Sequence, residues 1–265
     1  MAWRLYFILG ASLPVPHLRP MQPLDRPVWA SLVSHHSALS SGGALARRYL
    51  PGVNVFASAR DDSPDALEAL AELVNPGECV YVLQVPAVEV PAQLMLVRSA
   101  AGVQMVGARA LSRAADEGIV RLGGGDAAEM LALAGLTEPG PFLERTHVMG
   151  RFFGIRLDGR LAAMAGERMR LPGYTEVSGV CTHPDFRGRG LARRLSAAVA
   201  AGIEARGERP FLHAWKTNLP ALALYRSLGF ELRAEVHIAL LQRPSLADVR
   251  STAADLPLRA RAPRR

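Results

Sequence analysis

The run Val180-Cys181-Thr182-His183-Pro184-Asp185-Phe186-Arg187-Gly188-Arg189-Gly190-Leu191-Ala192 holds residues whose types and spacing could do chemistry. An apolar, β-branched stretch enters a turn with two glycines and two arginines, and an apolar helical period follows. Successive backbone N–H groups at such a turn and at the helix start form an anion site, favoured further by the helix dipole. The glycines let the backbone approach a pyrophosphate closely, and Arg187 and Arg189 add charge. The run is not a Walker loop, nor a dinucleotide fingerprint, which would need glycine at Arg193. A plain strand-to-helix turn, with glycines for geometry, stays open as the alternative. Two other clusters carry less. His35-His36 invites a metal reading, but neighbours on a helix point about 100° apart and no further ligand is near, so a surface or core role is expected and no metal site. Gly123-Gly124-Gly125 lacks Gly-Lys-Ser/Thr and reads as a flexible turn.

The elements that must position these residues follow from periodicity. Residues 28–40 show helical spacing through Val28, Leu32, Val33, His36 and Leu39. Val53-Asn54-Val55-Phe56 suits a strand. A helix opens at Asp62-Ser63-Pro64-Asp65, carries Leu67, Leu70, Leu73 and Val74, and stops at Asn75-Pro76-Gly77. Cys79 to Val85 reads as a buried strand. Beyond a polar boundary at Asp116-Glu117-Gly118, Ile119 to Leu122 suits a strand and Ala127 to Ala134 a helix. Phe152–Leu157 and Leu161–Arg170 flank Asp158-Gly159, a strong hairpin signal. Pro172-Gly173 turns the chain into a central strand, Glu176 to Thr182. Leu191, Leu195, Val199 and Ile203 form one apolar helix face. Phe211–Trp215 is a strand, Leu219–Leu228 a helix ended by Gly229, and Val236–Leu241 a last strand.

A second stretch, His213-Ala214-Trp215-Lys216-Thr217-Asn218-Leu219-Pro220-Ala221, runs on to Tyr225-Arg226-Ser227-Leu228-Gly229-Phe230. Together the two stretches resemble the GNAT superfamily of N-acetyltransferases, and Tyr174-Thr175-Glu176 to Gly190 looks like its FR-type branch. The family's phosphate-loop pattern is met by Arg187, Gly190 and Ala192. Its later pattern is met by Asn218, Ala221, Tyr225, Leu228, Gly229 and Phe230, roughly 30 residues on. The resemblance covers about 119–241. It implies an α/β fold of the α+β type, with a central mixed, mostly antiparallel sheet flanked by helices.

The resemblance also implies roles. Acetyl-CoA would be the co-substrate, held by Val180, Cys181, Thr182, Arg187, Gly188, Arg189, Gly190, Leu191, Ala192 and Asn218. The strand Val180–Thr182 would pair with the pantetheine arm, beside a neighbouring strand that splays away. A backbone N–H near Val180 or Cys181 would polarise the thioester carbonyl. Asn218 would hold the cofactor arm, and as a helix N-cap it has a second use. Tyr225 resembles the general acid for the departing thiolate; a packed core aromatic is the other reading. An attacking amine must first lose a proton, and Glu176 is the leading base, through water, with Glu167 second and His183 third. Cys181 reads as a small strand hydrophobe and not as a nucleophile. The activity implied is acetyl transfer to a primary amine of a small molecule, an amino acid or a peptide N-terminus. A non-catalytic acyl-CoA-binding or sensing protein is the alternative.

Composition sets the outer limits. The chain has 265 residues, 49% hydrophobic and 21% charged, which can fill a core. No apolar run approaches the roughly 20 residues of a membrane-spanning helix, so no membrane partner is expected. Two cysteines, Cys79 and Cys181, fit a reducing compartment and a cytoplasmic protein. The net charge is +7, of which residues 1–20 hold +2 and residues 245–265 hold +3. The body carries little, so nucleic acid is an unlikely partner. A homodimer is compatible with this reading. The expected organisation is an extension at 1–20 with Met21 as the natural start, and an N-terminal α/β domain at 21–115 that could be a degenerate GNAT-like half. The acetyltransferase domain at 119–241 and a flexible arginine-rich tail at 245–265 follow.

Overall fold

Proline and small polar residues punctuate the first third of the chain into short pieces. A computed structural model describes residues 22–108 and 118–245. The expected start at Met21, the extension 1–20, Asp116-Glu117 of the expected boundary and the tail beyond Ser245 lie outside the described residues. Pro27 opens helix α1 (Pro27–Leu32). The helical period expected to reach residue 40 stops at Leu32. Serine side chains there compete for backbone carbonyls, as Ser34 Oγ does when it donates to Ala30 O at 2.5 Å. The chain then folds His36 inward against Ser31 and Tyr49, both near 3 Å from its Nδ1. His35 is left exposed. A small antiparallel sheet follows: β1 (Ser40–Gly42), β2 (Ala46–Tyr49) and β3 (Ala57–Ala59). The strand expected at 53–56 falls slightly later, because Phe56 is used in an isolated bridge to Tyr81. Helix α2 (Pro64–Glu72) starts at the expected proline.

The remaining elements build the main sheet and its flanking helices. In chain order they are β4 (Cys79–Gln84), β5 (Met95–Gly107), β6 (Ile119–Leu122), helix α3 (Ala127–Thr137), β7 (Phe152–Leu157), β8 (Arg160–Leu171) and β9 (Tyr174–Thr182). Helix α4 (Leu191–Glu204), β10 (Arg209–Trp215), helix α5 (Leu219–Ser227) and β11 (Phe230–Gln242) complete the described chain. Among the described residues, eight strands form one sheet in the order β4-β11-β5-β10-β9-β8-β7-β6. All its neighbours are antiparallel except β9 and β10. The fold is thus the mixed, mostly antiparallel sheet flanked by helices that the sequence implied.

Two features of this sheet position the site. Strand β5, which belongs to the N-terminal half of the chain, lies between β10 and β11. Residues on both sides of the expected boundary therefore share one sheet. The parallel pair is short: it runs from Arg209 opposite Tyr174 to Phe211 opposite Glu176, and no further rung follows. Beyond that point β10 stays with β5 out to Trp215, while β9 stays with β8 out to Thr182. The two strands part and leave a notch. Helix α4 seals one face of the sheet with Leu195, Val199 and Ile203, all fully buried. Each such side chain stabilises by about 1.5–3 kcal/mol. On the other face, α1, Tyr49, Val53 and Phe56 pack on Met169, Leu171 and Phe211.

Candidate functional site

The glycine-arginine turn sits at the mouth of the notch. A short 3-10 turn, Pro184–Phe186, leads from β9 into Arg187. Gly188 and Gly190 follow with φ of +76° and +71°, left-handed values that a glycine adopts without strain. Gly190 is the N-cap of α4, so the first N–H groups of that fourteen-residue helix lack intrahelical acceptors. No heavy atom lies within 4 Å of where a Cβ on either glycine would stand. That open space belongs to a surface cleft lined by Thr182, Phe186, the turn 187–190, Leu191 to Arg193, and Leu224. Arg187 and Arg189 are exposed, and the Arg189 guanidinium stacks over Phe186 at 5.4 Å. These residues fit a pyrophosphate: they offer backbone donors, a dipole, cations and room for close approach.

The notch itself is framed by backbone. On β9 the register steps from Gly166 opposite Ser178 to Met164 opposite Cys181, so Gly179 and Val180 together face Ala165. This is a β-bulge, with Gly179 at φ +62°, and a bulge re-aims the backbone groups it carries. Across the notch, Asn218 caps α5 by accepting from Ala221 N at 3.2 Å. Tyr225, two turns along α5, is 8% exposed and packs edge-on against Phe230 at 6.1 Å. Burial, and then the charge of Glu176, push its phenol up to about 12. It therefore keeps its proton at neutral pH, as a proton donor must. Cys181 turns into the cluster of Leu122, Met130 and Phe152, where burial lifts its thiol to about 11. It is protonated and enclosed, which suits a packing role.

Glu176 lies at the last parallel rung and is fully buried. Arg168 donates to it twice, Nε to Oε2 at 2.8 Å and Nη2 to Oε1 at 2.7 Å. Met169 N reaches Oε2 at 3.3 Å, and His213 Nδ1 lies 2.7 Å from Oε1. Burial alone would raise the carboxyl, but the Arg168 charge and the Arg168 and His213 hydrogen bonds outweigh it and hold the group at about 2. His213 continues the chain of bonds to Gln104 Nε2 at 3.1 Å, and Gln104 joins Leu24 O and Arg233. Glu167 faces elsewhere and pairs with Arg206 at 2.9 Å. His183 bonds Arg160 and the Asp185 N–H beside the phosphate turn. The structure thus sets Glu176 at the last parallel rung and Tyr225 in the cluster under α4, near enough for the Glu176 charge to act on its phenol, and leaves Glu167 and His183 apart from Glu176.

A second cleft adjoins the bulge. Helix α3 ends in a left-handed Glu138, and Pro139-Gly140-Pro141 then fold over as a lip. Pro139 to Phe142, Thr146, Phe152, Arg168, Ser178 and Gly179 line the space beneath. Thr146 ties the lip to the N-terminal half by donating to Val53 O at 2.7 Å. Sequence reasoning gave Arg168 and His213 no role. Arg168 stands in the charged end of β8, between Glu167 and Met169 and close to Arg170, so nothing local singled it out, and nothing local marked its partners.

Comparison with known proteins bears on this geometry. Residues 152–238 match the family model described as FR47-like protein. A crystal structure of an acetyltransferase assigned to the GNAT family, from Novosphingobium aromaticivorans, is 44% identical over 85% of this chain and all of that one, with a TM-score of 0.80. The chain belongs to the GNAT family of acetyltransferases. A GCN5-related N-acetyltransferase from Kribbella flavida shares the fold at 19% identity and a TM-score of 0.58, over 86% of this chain and 99% of its own. A GCN5-related N-acetyltransferase-like protein from Streptococcus suis does so at 17% and 0.52, over 82% and 96%. Among curated proteins, none matches. The GNAT fold implies acetyl transfer with acetyl-CoA as co-substrate. No described helix is long and apolar enough to cross a membrane.

Proposed function

We propose that this GNAT protein moves an acetyl group directly from acetyl-CoA to a primary amine of a small molecule, an amino acid or a peptide N-terminus. What supports the reading is the parting of β9 and β10, together with the glycine-arginine turn that follows β9, a protonated Tyr225 on α5 and a lipped cleft beside the bulge. Bound acetyl-CoA would supply an activated thioester. Arg187, Gly188, Arg189, Gly190, Leu191 and Ala192 would hold its phosphates, and the backbone of Val180 to Thr182 its arm. Asn218 would brace the arm while capping α5. The bulge at Gly179-Val180 frees backbone N–H groups that would polarise the carbonyl. Tyr225 would hold the proton that the leaving thiolate takes. Glu176 enters as a positioning group: a carboxylate held near 2 is a weak base, so the amine would lose its proton to water in the cleft. One cofactor per chain is expected, because among the described residues such a glycine-arginine turn ahead of a helix is found at 187–190.

One observation favours a second reading, an acyl-CoA-binding or sensing protein without turnover: the leading base candidate is already neutralised by Arg168. Purified protein, acetyl-CoA and a panel of amines and peptides, read by release of the CoA thiol, decide between the two. Thiol release dependent on an amine supports the transferase. Stoichiometric acetyl-CoA binding without release on any amine supports the sensor.

A further inference from the structure

The cleft under the lip holds a cation to which acetyl transfer gives no task. Arg168 is 8% exposed and lines the cleft with Phe142, Phe152, Ser178 and Gly179. Its Nε and Nη2 are committed to Glu176. Its Nη1 has no hydrogen-bond partner among the described residues. The guanidinium cannot swing away to find one, because Glu176 grips its far edge and the Phe56 ring lies against it at 5.1 Å. Nη1 lies 3.9 Å from the point where a Cβ on Gly140 would stand. Gly140 has φ +130°, a conformation side-chain-bearing residues rarely adopt, so the lip places bare backbone beside Nη1, and the space left beneath it has room for about one water-sized group, such as a single carboxylate oxygen.

A guanidinium whose Nη1 edge has no protein acceptor and borders a cleft suits an oxygen acceptor there, and a carboxylate matches it best. The cleft's other walls, Phe142 and Phe152, are apolar and stand edge to face at 5.6 Å. Gly179 belongs both to the cleft wall and to the bulge where the thioester would lie. An acceptor anchored on Arg168 would therefore have its amine near the reacting carbon. We propose that Arg168 reads a carboxylate on the acceptor, so that the acceptors are free amino acids in preference to simple amines or peptide N-termini. This rests on the acetyl-transfer reading above. Glu176 then has a clear purpose: it fixes the orientation of the guanidinium and leaves Nη1 as the recognition edge.

Transfer is measured with the twenty standard amino acids, their α-amides and the matched amines that lack the carboxyl group. The acids should exceed the amides and amines in kcat/KM by roughly tenfold to hundredfold, the worth of one charge-assisted hydrogen bond. Amides or amines that react as well as the acids overturn the proposal. Arg168→Lys keeps the charge beside Glu176 but loses the fork. It should melt below the wild type, because the buried Glu176 loses its two-point grip, and should lose the preference; a folded variant that keeps the preference also overturns the proposal. If Arg168→Lys does not fold, the wild-type comparison decides alone. If no amine is acetylated, the acetyl-transfer reading fails, and calorimetry with N-acetylated amino acids against their amides tests Arg168 by itself. The N-acetyl acids should bind at least about tenfold more tightly than the amides; equal binding, or none, refutes it.

Discussion

Tyr225 carries two demands at once, since its ring fills the core beside Phe230 while its hydroxyl belongs to the proposed chemistry. Tyr225→Phe keeps the ring and removes only the hydroxyl. Acetyl-CoA binding should stay near the wild-type value and kcat should fall by roughly 10²-fold, the scale of a lost general acid. An unchanged kcat under conditions where chemistry limits the rate would remove Tyr225 from the mechanism. Gly190 has a φ of +71° and an open cleft in front of it. Gly190→Val would strain that cap and fill the space. Calorimetry should show acetyl-CoA binding lost while circular dichroism stays native; retained affinity would show that the phosphates lie elsewhere. Because Glu176 is held near 2, it is ionised throughout the accessible range and contributes no limb to the pH profile. The rate should rise with pH at unit slope towards the acceptor's own ammonium pKa, about 8 to 10 for common amines. A limb near 6 to 7 that vanishes in Glu176→Gln or His213→Gln would establish a protein base instead.

The notch exists because β10 has a second neighbour. From Phe211 to Trp215 it is tied to β5, so it can leave β9 without exposing an unpaired edge on both sides. The helices and hairpin of this fold were legible from local signals. Pro64 marks the start of α2, Asp158-Gly159 the β7–β8 turn, and the four-residue recurrence from Leu191 to Ile203 the buried face of α4. Strand β5 was not legible. Its first half is exposed, it runs through Ser99, Ala100, Ala101 and Gly102, and its partners lie more than a hundred residues away. The phosphate turn could be read because its chemistry is contiguous in sequence. The Arg168–Glu176–His213–Gln104 network could not, because pairing across four strands assembles it. The bulge on β9 yields a prediction. A Cβ on Gly179 would stand 3.2 Å from Phe152 Cε1, at a left-handed φ of +62°. Gly179→Ala should cost about 1–2 kcal/mol from the backbone alone. It should also press Phe152 into the lipped cleft, so the acceptor KM should rise more than the acetyl-CoA KM. Equal changes in both constants would show that the cleft is not the acceptor's.

Over the whole molecule, the N-terminal half acts as a buttress: it supplies β5 to the sheet, Val53 to the lip and Leu24 to the polar network. Among its buried polar groups is His36, which shares hydrogen bonds with Ser31 and Tyr49 at 3.0 Å each. Burial, the largest cause, lowers its pKa to about 4 from 6.5. A depressed folded-state value means that the unfolded chain binds the proton more readily. The contribution is therefore complete above about 6.5 and is lost as pH falls from there towards 4. Between pH 7 and pH 5 it amounts to about 2 kcal/mol. Glu176 adds a second loss below its ordinary value of 4.5, as its proton returns while pH falls towards 2. Denaturant melts should therefore show wild-type stability dropping first between pH 6.5 and 5, before the carboxylates titrate. His36→Gln keeps polar groups near Ser31 and Tyr49 but cannot titrate. It should be less stable than the wild type at pH 7 and should lose less on acidification, so that the two curves converge near pH 5. If the variant falls as steeply as the wild type over that interval, the proton that loosens the N-terminal half is taken up elsewhere.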